Sequence, residues 1–228
     1  MQGSIRTLAS DTASPYGGHV SSNAVAESPR RPRQEETFRK LVGAALETLR
    51  GSSYADLTVR AVAARANVAP ATAYTYFSSK NHLVAEVYLD LIREVPFFTD
   101  VNDSRLSRVQ QALRSLALVV ADEPEVAAAC TTALLSNDAA VQVVRERIGA
   151  EIHKRIKSAL GPDTEARTVA ALEMSYFGAL VQAGSGAFTY RQIADRLGYV
   201  ARLLLGGDDA GRTAARGGAD RSNRGGVA

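Results

Sequence analysis

A chain of 228 residues with 46% hydrophobic side chains is long enough to bury a real core, as one domain or as a small domain joined to a larger one. The formal charge of +3 and isoelectric point near 9.1 are mild, so any affinity for polyanions must come from where the cations sit. A single cysteine, Cys130, excludes an intrachain disulfide framework, and the absence of any window resembling a membrane span or signal peptide points to a cytoplasmic protein.

Residues 1–33 are rich in Ser, Ala, Gly and Pro, lack apolar periodicity and end in Arg30, Arg31 and Arg33, which predicts a disordered basic arm. Phe38, Leu41, Val42, Ala45, Leu46 and Leu49 then recur at spacings of three and four, predicting a first helix over 34–50 that Gly51 stops. Thr58 is placed to cap a short second helix with Val59, Val62, Ala63 and Ala66 on its apolar face, ended at Asn67. A third short helix is predicted over 69–76, and Ser78 or Ser79 caps a fourth that runs through Leu83, Val87, Tyr88, Leu91 and Val95 to Pro96. Further helices are predicted over 104–121, 124–136, 138–160, 163–187 and 189–205, with Pro124, Gly161-Pro162 and Gly186 as breaks. From Gly206 onward Gly, Arg, Asp and Ala predict a disordered tail over 206–228. No segment carries a strand signal, so the expected class is all-α.

The segment LTVRAVAARANVAPATAYTYFSSK, Leu57 to Lys80, reads as a capped helix, a tight turn and a second short helix free to enter a major groove. Small residues at Ala69, Ala71 and Ala73 allow close approach to a duplex, with Pro70 beside them. Thr72 and Thr75 offer hydroxyls and methyls to base edges or phosphates, and Tyr74, Tyr76 and Lys80 supply phosphate contacts, with core packing the alternative for the two tyrosines. Thr58 and Arg60 complete the candidate DNA-binding set. Arg30, Arg31, Arg33, Arg39, Lys40, Arg60, Arg65 and Lys80 all lie in or before this unit, where cations would anchor phosphates, although solvating the polar face of the first helix is the commoner fate of charges placed like Arg39 and Lys40. Phe77, by contrast, reads as core.

The long first helix, Thr58 before the second, and NVAPATAYTYFSSKNHL together resemble the DNA-binding domain of the TetR family of repressors over about residues 35–95. Val68, Thr72, Tyr74, Tyr76, Phe77 and Lys80 fall on the characteristic positions of that family's pattern. Asn67 stands in place of the usual turn glycine, Ala69 of a serine, Pro70 of a frequent lysine and Ala71 of a frequent glycine. Asn tolerates the left-handed turn, but the lost hydroxyl and amine shift base readout toward Thr72 and Arg60. The resemblance implies a helix-turn-helix domain over 34–80 and a larger helical regulatory domain over 81–205 that binds a small molecule and dimerises. The stretch EPEVAAACTTALLSND, Glu123 to Asp138, also resembles actinobacterial TetR regulators of lipid and sterol catabolism.

Within the larger part, VAALEMSYFGALVQAGSGAF holds one charge, Glu173, which predicts a helix buried nearly all round. One face would line an effector cavity and the other would pack on a sister subunit, together with Ile193, Leu197, Val200 and Leu204 of the last helix. Gly178, Ala179, Ala183 and Gly186 would allow close helix approach. Candidate effector contacts are Phe97, Phe98, Leu116, Val120, Leu134, Leu135, Met174, Tyr176, Phe177 and Gln182, and so few charges favour an apolar or amphipathic ligand with its polar end on Tyr176 or Gln182.

The expected function is therefore a ligand-responsive repressor that binds a palindromic operator in double-stranded DNA as a homodimer, with no cofactor or metal and no membrane partner. The competing reading is a helical small-molecule-binding or interaction protein of the same fold without DNA binding, motivated by Ala69, Pro70 and Ala71. Enzymatic function is not expected, because His19, His82 and His153 are scattered and no nucleophile elbow, phosphate loop or metal-ligand spacing occurs.

Overall fold

A computed structural model describes residues 30–219, with side chains through residue 206. The arm expected over 1–33 therefore lies outside the described residues up to position 29, and so does the end of the expected tail from 220 onward. The described residues form α1 (Pro32–Gly51), α2 (Val59–Arg65), α3 (Pro70–Tyr76), α4 (Lys80–Glu94), α5 (Arg105–Leu118), α6 (Pro124–Leu134), α7 (Ala139–Leu160), α8 (Ala166–Gly184) and α9 (Tyr190–Ala219), with no strand among them.

Local chemistry sets most of these boundaries. The Thr58 hydroxyl accepts the Ala61 amide at 3.1 Å and starts α2, an interaction worth about 1 kcal/mol. Asn67 takes φ 54, the only non-glycine positive φ among the described residues, and turns the chain between α2 and α3. Ser79 rather than Ser78 caps α4, accepting the His82 amide at 3.0 Å. Ser104 caps α5 in the same way through Ser107, and Asp138 caps α7 through the Ala140 amide at 2.9 Å.

The last helix departs from expectation. It continues to Ala219 instead of stopping at 205. Once a packed helix exists, each further residue adds one backbone bond without a new nucleation step, so Gly206 and Gly207, each costing about 1 kcal/mol relative to Ala, do not by themselves end it. The expected disorder from 206 is corrected accordingly for the backbone up to 219.

α1 to α3 close on a small core in which Phe38 and Phe77 stack at 5.3 Å between ring centroids. α4 packs against α1 on one side and against α6 and α7 on the other, so it belongs to both parts of the molecule. Three polar joints fix it. The Ser79 hydroxyl donates to Asp138 Oδ2 at 2.5 Å, Arg147 Nη1 reaches the buried Glu86 carboxylate at 2.5 Å, and the buried Arg155 donates to the carbonyls of Val95 and Arg93 at the end of α4. α9 lies along α5 and α8.

α8 is not buried all round within the protomer. Val169, Leu172, Tyr176 and Ala183 face inward, whereas Met174, Phe177 and Val181 are exposed. In α9, Ile193 and Leu197 are already buried inside the protomer, and Tyr199, Leu203 and Leu204 are the exposed apolar residues. The outward stripe of α9 is thus offset from the one the sequence predicted: Ile193, Ala194, Leu197, Ala201 and Leu205 pack inward, Val200 is half-buried, and of the predicted set Leu204 alone is exposed. Close helix approach also falls elsewhere. A Cβ on Gly184 would stand 2.4 Å from Thr131 Cγ2, whereas one on Gly178 or Gly186 would meet nothing within 4 Å.

Candidate nucleic-acid interface and effector cavity

α2 and α3 carry a set of exposed residues, polar and small. Thr58, Arg60, Ala69, Pro70, Ala71, Thr72, Tyr74 and Thr75 are all exposed, while Val62, Ala63 and Ala73 turn inward. Arg60 and Arg65 have no ion-pair partner among the described residues and stand free to meet phosphates. Tyr74, at 54% exposure, is the largest exposed side chain of α3. The Thr75 hydroxyl donates to the Thr72 carbonyl at 2.6 Å, which leaves its oxygen able only to accept from a further partner.

The structure corrects one sequence expectation for this surface and gives two further residues inward contacts. Ala73 is fully buried and supports the α3 core contact, so only Ala69 and Ala71 lie on the open face. Tyr76 is half-buried, with its ring 6.4 Å from Phe38 and 6.3 Å from Phe77, and serves as the edge of the small core. Lys80 is tied inward: its Nζ donates to the Tyr54 carbonyl at 3.1 Å and sits 4.2 Å from the centroid of the Tyr54 ring. Lys80 thereby pins the start of α4 to the α1–α2 connection, a role that a lysine at a helix start does not announce in sequence. Outside the turn, Arg39 pairs with Glu35 at 3.0 Å and Lys40 with Glu36 at 2.7 Å, the solvated-face alternative.

Beyond α4 a cavity of about 380 Å³ lies between α4, α6, α7, α8 and the start of α9. Four of the expected contacts line it: Val120, Leu134, Leu135 and Phe177. The others do not. Leu116 and Tyr176 lie in the core behind the wall, where the Tyr176 hydroxyl shares a 3.1 Å hydrogen bond with that of Tyr88 and donates to the Leu116 carbonyl at 3.2 Å. Met174 is 75% exposed and Gln182 is exposed, both on the open face of α8. Phe97 is exposed beneath the Arg155 guanidinium, 4.8 Å from its centroid, and Phe98 packs against the core without lining the cavity.

Residues that sequence reasoning missed complete the wall: Tyr88, Ala127, Cys130, Thr131, Arg145, Ile148, Leu180, Val181 and Tyr190. Cys130, Thr131 and Tyr190 had no distinguishing signal beyond their place on helix faces. Burial pushes the Cys130 thiol up to about 12, so it lines the wall as a neutral group. Burial likewise raises Tyr88 and Tyr176 well above the usual phenol range, with the neighbouring tyrosine adding to the rise at Tyr88.

A short helix-turn-helix with an open second helix, joined through one shared helix to a helical body with an apolar cavity, defines a DNA-binding transcriptional regulator. The comparisons place it within that class. Residues 41–87 match the family of bacterial regulatory proteins, tetR family. The chain is 69% identical over 180 residues to an HTH-type transcriptional regulator of Mycobacterium tuberculosis, covering 78% of this chain and 84% of that one. It is also 30% identical over 190 residues to the HTH-type transcriptional repressor KstR of Rhodococcus jostii, covering 76% and 84%. A TetR transcriptional regulator from Rhodococcus sp. RHA1 shares the fold with a TM-score of 0.66 at 23% identity, over 77% of this chain and 98% of that one. The chain belongs to the TetR family of bacterial transcriptional regulators. No helix among the described residues is long and apolar enough to cross a membrane.

Proposed function

We propose that the chain is a homodimeric, ligand-responsive repressor of a palindromic operator, with residues 34–80 reading DNA and 81–205 sensing an effector and dimerising. The observation that carries this reading is the open face of α3, where Pro70, Ala71, Thr72, Tyr74 and Thr75 are all exposed beside the unpaired Arg60. Exposed apolar residues on α8 and α9 that do not line the cavity supply a second support: Met174, Tyr199 and Leu203 would be covered by a sister subunit, and two copies would offer their α3 helices about 34–36 Å apart, one turn of DNA. The relative KstR of Rhodococcus jostii is a transcriptional repressor.

The mechanism is a shift of population between two spacings of the recognition helices. α7 provides Arg145 and Ile148 to the cavity wall, and its N-terminal Asp138 holds Ser79 at the start of α4. An occupant that favours another position of α7 is therefore felt at the joint between α4 and the helix-turn-helix. DNase protection on the DNA upstream of the protein's own coding region tests the reading. A symmetric protected site of two half-sites is expected. Undetectable binding at low salt to every flanking intergenic region would instead favour a ligand-binding protein that has lost DNA recognition, the role suggested by Ala69, Pro70 and Ala71.

A further inference from the structure

The effector cavity is apolar on most of its wall, with Val120, Leu134, Ile148, Phe177 and Leu180 around it, yet one cation stands in that wall. Arg145 is the only charged residue lining the cavity among the described residues, and it is half-buried. It has no carboxylate partner among the described residues. Its Nη1 donates to the Leu134 carbonyl at 2.8 Å and the Ser136 carbonyl at 3.1 Å, which fixes the guanidinium against the end of α6. Nε and Nη2, the two donors that together match the fork of a carboxylate, have no acceptor among the described residues.

A half-buried cation is costly to hold beside an apolar space unless an anion meets it, and the described residues supply none there. The other polar groups of the wall, Tyr88, Cys130, Thr131 and Tyr190, are neutral at ordinary pH and do not balance the charge. At about 30 Å³ for each water-sized group, a space of this size takes on the order of a dozen heavy atoms. We infer that the effector is an amphipathic carboxylate of medium chain length, with its carboxylate on Nε and Nη2 of Arg145 and its hydrocarbon against Val120, Ile148, Phe177 and Leu180. This rests on the effector-cavity reading above and specifies its ligand class.

The test is calorimetric titration of the full chain, without DNA, with decanoate, decanol and decyltrimethylammonium. Decanoate binds at least about tenfold tighter than decanol, as a charge-assisted pair in a partly desolvated site requires, and the cationic amphiphile binds weakest. Arg145→Met removes the advantage of decanoate over decanol while binding of decanol persists. Decanol binding as tightly as decanoate to the wild type overturns the inference, as does the absence of decanoate binding or an unchanged preference in Arg145→Met. The wild-type comparison alone decides the matter where Arg145→Met does not fold. Because DNA is absent from this titration, failure here leaves operator binding untouched, and failure of decanoate to release a preformed operator complex bears on regulation and not on the site.

Discussion

Asn67 carries the turn of the helix-turn-helix at φ 54, a conformation that costs an ordinary residue about 1 kcal/mol or more because its Cβ crowds the following carbonyl. Asn67→Gly should fold with nearly unchanged stability, whereas Asn67→Ala should lower the melting temperature by about 2–4 °C, read by circular dichroism. Equal melting temperatures for the two variants would contradict the assigned turn. Cys130 offers an independent check. Its thiol is buried and pushed up to about 12, so iodoacetamide at pH 8 should leave the native protein unlabelled and modify it fully after denaturation, as counted by mass spectrometry. At this scale the sequence was partly legible. Thr58, Asn67, Thr72 and Tyr74 occupy the places their chemistry predicts, because caps, left-handed turns and exposed helix positions are decided within a few residues. Lys80 and Arg145 were not legible as they stand, since each is turned inward by a partner 26 or 11 positions away and a lone cation on a helix looks solvated.

α4 is the element that packs against both parts of the molecule, and the Ser79–Asp138 hydrogen bond is its first joint. That hydrogen bond holds the Asp138 carboxyl below its ordinary value of 3.8, and the Ala140 amide that Asp138 caps acts in the same direction. A depressed folded-state pKa contributes stability that is complete above the ordinary value and is lost as pH falls through the folded one. The melting temperature of the wild type should therefore exceed that of Asp138→Asn by a constant amount between about pH 5 and 7, and the gap should shrink below about pH 4. A gap that widens in acid would contradict the pairing. Helix existence was readable from three-and-four spacing, and all nine predicted helix starts fall within about three residues of those observed. The end of α9 was not, because glycine weakens a helix without deciding where it stops once the preceding turns are packed.

For the whole molecule the open question is what covers the apolar residues on α8 and α9. Met174 and Leu203 are 75% and 64% exposed, and neither lines the cavity. Replacing both, Met174→Glu with Leu203→Glu, should yield a monomer of unchanged helical content by light scattering coupled to size exclusion, because two charges would be buried unpaired in the interface. A wild-type dimer that persists in this variant would move the interface elsewhere. The larger inward arrangement of α8 and α9 depends on which neighbours each face meets, and hydrophobic spacing alone gives the width of an apolar stripe without naming its partner.

The central claim, that the exposed face of α2 and α3 grips DNA, is tested most directly by fluorescence anisotropy on the upstream DNA across a salt series. Wild type should be compared with Arg60→Ala combined with Tyr74→Ala, two exposed side chains with no structural partner whose loss should leave the fold intact. The wild-type affinity should fall linearly in log–log form with salt, and the double variant should bind at least about tenfold more weakly with a slope shallower by about two for the dimer, one for each lost arginine contact. Equal affinity and equal slope in a variant of native helical content would contradict it.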